Sequence, residues 1–170
     1  MLSSRLASAL VIGRALTAAP KRTLLRQMVA FSQILPRQFN QPLPVMMAQL
    51  TPPTSYPQPV DNQWSISPGL PQVQVLAEAE IRQLADAVAA WHFWSPLGLC
   101  LRRSLLRYHF LRAAQVPVSI IFGARLKSGR EGSGIGGHAW LTLDGQPYYE
   151  HPGDYQGFVI MYVYPPDPRP

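Results

Sequence analysis

Acidic side chains are missing from the first sixty residues, and cysteine is nearly missing from the whole chain. With one cysteine, Cys100, among 170 residues, an internal disulfide framework and any cysteine-based zinc cluster are excluded. A free thiol suits a reducing compartment, so the cytoplasm is the expected location. No apolar run reaches the roughly 18–20 residues of a transmembrane helix, because Arg14 and Lys21-Arg22 interrupt the N-terminal one. Arg14 also breaks the apolar centre that a secretory signal needs. Internal repeats are absent. The glycine-rich stretch "SGREGSGIGG" lacks the Lys-Ser/Thr of a phosphate-binding loop and no helix pattern follows it, which argues against phosphate cradling. A flap beside a site, or a plain hairpin connection, are the readings left for it.

What is present divides unevenly. The formal charge is +6, yet residues 1–60 hold six basic side chains (Arg5, Arg14, Lys21, Arg22, Arg26, Arg37) and no acid. Residues 61–170 hold nine of each sign, which cancel. The excess therefore belongs to the N-terminal portion, whose Leu/Ala-rich, acid-free character fits a membrane-surface helix, an organelle presequence or a contact to an acidic partner. A basic helix pair docked on the protein's own core fits equally well. The sequence-based expectation is a peripheral contact to a membrane or acidic surface through residues 1–60, screened by salt and separable from the chemistry. No nucleic-acid partner is expected.

Three parts are expected: a basic helical segment at 1–50, a proline-rich linker at 51–74, and a compact α+β unit at 75–170. Proline-rich "TPPTSYPQPVDNQWSISPGLPQVQ" has too many breakers for a helix interior. Then "LAEAEIRQLADAVAAW" places Leu76, Ile81, Leu84 and Val88 at a helical period, with acids early, where they complement the dipole. In "WSPLGLCLRRSLLRYHFLRAAQ", Ser95 is a suitable cap and Pro96 suits the first helical position. Leu97, Leu101, Leu105, Tyr108 and Leu111 share one face. "VPVSIIFGAR" is β-branched and apolar, a buried strand beginning after Pro117. After the glycine loop come "HAWLTL", the turn "LDG", the run ending in Glu150, and a last strand in "GFVIMYVYPP".

Chemistry points to Cys100 and His138. Cys100 falls in the first or second turn of its helix, where unpaired backbone N–H groups and the dipole favour a thiolate over a thiol. A lone cysteine is more often a small buried apolar residue; a histidine at the head of an alternating strand gives it a partner. Read as a three-residue hairpin with Gly145 in the left-handed position, "LDG" pairs Thr142 with Gln146, Trp140 with Tyr148, and His138 with Glu150. Cross-strand partners sit about 5 Å apart on one face. Glu150 would then accept from one ring nitrogen and leave the other for the thiol. Asp144, in the turn, lies roughly 20 Å from His138 at ~3.3 Å per residue. A two-residue turn would instead put His151 opposite His138 and Glu150 on the other face.

"CLRRSLLRYHFLRAAQVPVSIIFGAR" followed by "HAWLTLDGQPYYE" resembles the transglutaminase-like superfamily. Within it the resemblance is to the lasso-peptide biosynthesis B proteins, the leader peptidases of lasso-peptide maturation. It runs from about Leu84 to Glu150, some two fifths of the chain. The resemblance implies a transglutaminase-like (papain-like) fold, with the cysteine on a helix start against an antiparallel sheet. It implies a Cys100 nucleophile, a His138 base and Glu150 as the acid, where the family usually has aspartate. The implied activity is a cysteine peptidase that removes the leader from a ribosomal precursor peptide in a bacterial cytoplasm, at or near the inner membrane. Implied partners are that precursor, a separate leader-binding protein and a cyclase that uses ATP; no metal or cofactor is called for in the chain itself, and any ATP dependence rests on the resemblance alone. A non-proteolytic scaffold of the same fold, and a deamidase or acyltransferase acting on another amide, remain as alternatives.

Overall fold

The computed structural model describes residues 2–52, 77–91, 94–129 and 132–166. Apart from its first two residues, the expected linker lies outside these, as do Leu76, Arg130 and Glu131. In chain order the elements are α1 (Leu2–Thr17), α2 (Ala19–Gln38), α3 (Leu43–Leu50), α4 (Glu78–Trp91), α5 (Leu99–Ala113), β1 (Ser119–Leu126), β2 (Ile135–Leu143), β3 (Gln146–Pro147), α6 (Pro152–Tyr155) and β4 (Val159–Tyr164). The strands form one antiparallel sheet in the order β3-β2-β1-β4. This is the expected α+β arrangement. Helix α6 was not anticipated.

Helix α5 occupies the centre. Leu105, Leu106, Tyr108 and Leu111 are fully buried, and they share one cluster with Ile81, Leu84 and Val88 of α4 and with Ile120 and Leu141 of the sheet. Three arginines of α5, Arg102, Arg107 and Arg112, are buried as well. Only ion pairs and hydrogen bonds make such positions tolerable for guanidinium groups. The glycine-rich stretch is the connection of the β1–β2 hairpin, closed by the Lys127 N–H donating to the Gly134 carbonyl at 2.9 Å.

The N-terminal helices belong to the same core. Leu24, Leu25, Met28, Leu35, Met46 and Met47 are buried in the cluster that holds α5. At about 1.5–3 kcal/mol for each fully buried large apolar side chain, this packing contributes on the order of 10 kcal/mol before entropy is charged against it. Polar ties reinforce it. His109 of α5 bonds through Nδ1 to the Leu50 carbonyl at 2.6 Å and stacks on Phe31 at 4.2 Å between centroids. The Thr51 and Tyr108 hydroxyls meet at 2.8 Å. Of the readings open for the N-terminal segment, this packing is that of helices docked on the protein's own core: α2 and α3 form one wall around α5.

Candidate functional site

The site begins where α5 begins. Gly98 is the residue before the helix, and the first intrahelical bond runs from the Arg102 N–H to the Gly98 carbonyl at 3.1 Å. The start lies a few residues later than Ser95 and Pro96 suggest; Ser95 instead receives the Leu97 N–H in a preceding turn. Cys100 therefore sits in the first turn, and the N–H groups of Leu99, Cys100 and Leu101 have no intrahelical acceptor. Such groups can hold an oxyanion that forms beside the sulfur.

His138 lies on β2 directly opposite Gly123 of β1. Its ring stacks on Trp140 at 5.8 Å and meets Phe158 at 5.3 Å. Gly123 is required here: a Cβ at that position would come within 2.7 Å of the Trp140 ring. Nε2 of His138 is buried and has no hydrogen-bond partner among the described residues. Burial pushes the ring's proton affinity below that of an ordinary histidine; Arg103 pushes the same way, and Asp154 opposes both. A neutral ring with a nitrogen free is a general base in the right state.

One hydrogen bond couples the helix to the strand. Strand β3 is only two residues long. The Tyr148 N–H still reaches the Leu141 carbonyl at 2.8 Å, but one pair further on the Ala139 carbonyl has lost its strand partner. The buried Ser104 hydroxyl takes that place, donating to Ala139 at 2.7 Å. Ser104 is one helical turn beyond Cys100, and Ala139 adjoins His138. The elements that carry the two candidate groups are thus tied together by this bond. Both line one cleft of about 230 Å³, whose other walls include Gly98, Leu101, Phe122, Gly123 and Gly137. The sequence reading brought together Cys100 and His138, and the structure places them on this shared surface.

Glu150 is placed differently. The hairpin turn contains two residues, not three: Thr142 pairs with Pro147 and Leu143 with Gln146. Asp144 and Gly145 both have positive φ, 52° and 77°, as a type I′ Asp-Gly turn requires. Continued from these pairs, the register runs toward His151 opposite His138, the outcome a two-residue turn entails. The chain leaves the sheet first, at Tyr149, whose φ is also positive at 51°. Glu150 then turns into α5, where its buried carboxylate accepts from Arg103 at 2.7 Å and Arg107 at 3.1 Å. Arg107 is held from its other side by a bidentate pair with Asp86 of α4. Burial raises the Glu150 carboxyl above its ordinary range, against the pull of the two arginines.

The carboxylate whose charge favours the His138 imidazolium is Asp154, which sequence reasoning did not single out. It sits in α6, a single turn capped by His151, which accepts the Gly153 N–H at 3.1 Å. Tyr155 of that turn stacks on Trp140 at 6.1 Å, placing α6 over the layer that carries His138. The signal was local: "HPGDY" has a cap, a proline at the helix start and an acid in the first turn. No group of three His, Cys, Asp or Glu side chains among the described residues is arranged to hold a metal ion.

Compared with known families, residues 62–163 match the model described as the transglutaminase-like superfamily. That span covers more than half of the 170 residues. The chain belongs to the transglutaminase-like superfamily. Neither the curated proteins nor the solved structures contain a match. The superfamily region takes in α4, α5 and nearly all of the sheet, and with them Cys100, His138, Glu150 and Asp154. Helices α1–α3 precede it, although they share its core. Members of the superfamily are often cysteine-based enzymes, and this one has a single cysteine with which to be one.

Proposed function

We propose that the protein is a cysteine peptidase that cleaves the amide joining leader to core in a ribosomal precursor peptide, as in lasso-peptide maturation. The observation that carries the reading is the shared cleft of Cys100, at the open end of α5, and His138, with its buried unpartnered nitrogen. His138 takes the proton of the Cys100 thiol, the thiolate attacks the carbonyl carbon, and the N–H groups at the start of α5 hold the oxyanion. The C–N bond then breaks as His138 delivers a proton to the leaving amine. Water attacks the thioester, giving its proton back to His138; the C–S bond breaks and the acid is released. Asp154 stabilises the imidazolium through its charge, and Glu150 anchors the segment that carries Asp154. At about 230 Å³ the cleft is smaller than the ~300–1,000 Å³ of a small-molecule pocket. It suits the reacting amide of an extended chain that runs across the surface.

The resemblance to the lasso-peptide B proteins supports a leader-binding protein and an ATP-using cyclase as partners, in the bacterial cytoplasm. The test is cleavage of a lasso-type precursor peptide, with a leader-binding protein added. The wild-type protein should release leader and core, and Cys100→Ala should release neither. Cleavage by purified Cys100→Ala would place the nucleophile elsewhere. Transfer of the acyl group to an added amine, with no hydrolysis, would make the protein an acyltransferase instead.

A further inference from the structure

Helix α1 is apolar on both sides, and only one side is covered. Val11, Ile12 and Ala15 pack inward on the core. On the other side Leu6, Leu10 and Leu16 are 64%, 65% and 51% exposed, with Ala9 and Gly13 exposed between them. At 100° per residue Leu6 and Leu10 lie about 40° apart and Arg14 continues the same row. A helix apolar all round normally has something against every face. We propose that the outer face of α1 lies on an anionic lipid bilayer.

Charge decides between the candidate covers. A second copy would bring a like-charged surface, since every charged side chain in residues 1–60 is basic. One of them, Lys21, pairs with Glu80 at 2.5 Å; Arg14, Arg22, Arg26 and Arg37 are exposed. Arg14 beside the exposed leucines of α1, with the further exposed basic side chains of α2 on the same acid-free segment, matches a leaflet with negative headgroups above an acyl layer. No helix among the described residues is long and apolar enough to cross a membrane, so α1 lies in the interface plane. The arrangement holds the cleft-bearing domain at a surface through an element that the cleft does not use.

The test is sedimentation of full-length protein with phosphatidylcholine vesicles, with and without phosphatidylglycerol. Binding is expected only where phosphatidylglycerol is present, and it should weaken as salt shortens the screening length from about 10 Å to about 3 Å. Arg14→Gln should lower the partition coefficient about fivefold. The double variant Leu6→Glu/Leu10→Glu, at positions already exposed, should lower it about a hundredfold or more. Equal binding to uncharged vesicles, no binding to either, or unchanged binding by the double variant would overturn the proposal. So would a dimer that the double variant dissociates, because a second copy would then be the cover.

Discussion

Replacing Glu150 with glutamine removes one charge from a network of four. In the wild-type protein the carboxylate, 1% exposed, bridges Arg103 and Arg107, which are 26% and 4% exposed. Removing one partner of a buried ion pair costs about 3–5 kcal/mol, because the remaining charge is stranded. Two features reduce that figure here. Arg103 can reach water, and Arg107 keeps its bidentate pair with Asp86. A loss of about 2–3 kcal/mol is therefore expected for Glu150→Gln. In a protein of this size that lowers the melting temperature by roughly 4–12 °C. The assay pairs thermal unfolding with precursor cleavage at a temperature where the variant is fully folded. Stability should fall markedly, while turnover falls only as far as the α6 segment loosens. An unchanged melting temperature with cleavage reduced by about 10³ or more, the scale on which a triad acid acts, would refute the reasoning. Glu150 would then serve His138 directly.

Ser104 offers a cleaner comparison, because threonine and valine have the same shape and only threonine keeps the hydroxyl. Ser104→Val should be less stable than Ser104→Thr by about 1–2 kcal/mol, since the Ala139 carbonyl is left unpaired, and it should slow cleavage more; equal cleavage by the two would remove Ser104 from the account. Acid should weaken the fold. His138 and His109 are both held below the ordinary histidine value by burial, so the unfolded chain binds more protons as pH falls through about 6.5 and below, and stability falls with it. His109→Gln should flatten that slope in urea unfolding between neutral and mildly acid pH; an unaltered slope would mean that His109 binds its proton equally well in the folded and the unfolded chain.

The elements that carry chemistry were legible from short-range pattern. α4 and α5 announced themselves through period, β1 through β-branched residues, and His138 through alternation on β2. The turn was harder. "LDG" supports both two- and three-residue loops, and what chooses is whether Leu143 stays in the strand, a matter of its packing against the core. One residue of register moved Glu150 from His138 to the arginines. The buried network that received it was not visible, because Asp86, Arg103, Arg107 and Glu150 are brought together by two helices and the irregular segment after β3. Nor was the choice between a docked helix pair and a surface-binding segment: the eight buried large apolar side chains of α2 and α3 follow a helical period, yet the basic residues around them fit both readings.

The central claim is that Cys100 and His138 act as one unit, and it is read most directly without any substrate. The rate of Cys100 alkylation by iodoacetamide is measured against pH in the wild-type protein and in His138→Ala, with melting curves to show that both are folded. A thiolate that shares its proton with His138 is stabilised by the imidazolium. Removing the ring should shift the labelling profile to higher pH and slow labelling at mildly acid pH by about tenfold or more, since an opposite charge within about 4–6 Å moves such an equilibrium by a unit or more. Superimposable profiles would contradict the account, leaving Cys100 and His138 as neighbours in a cleft with no chemistry between them.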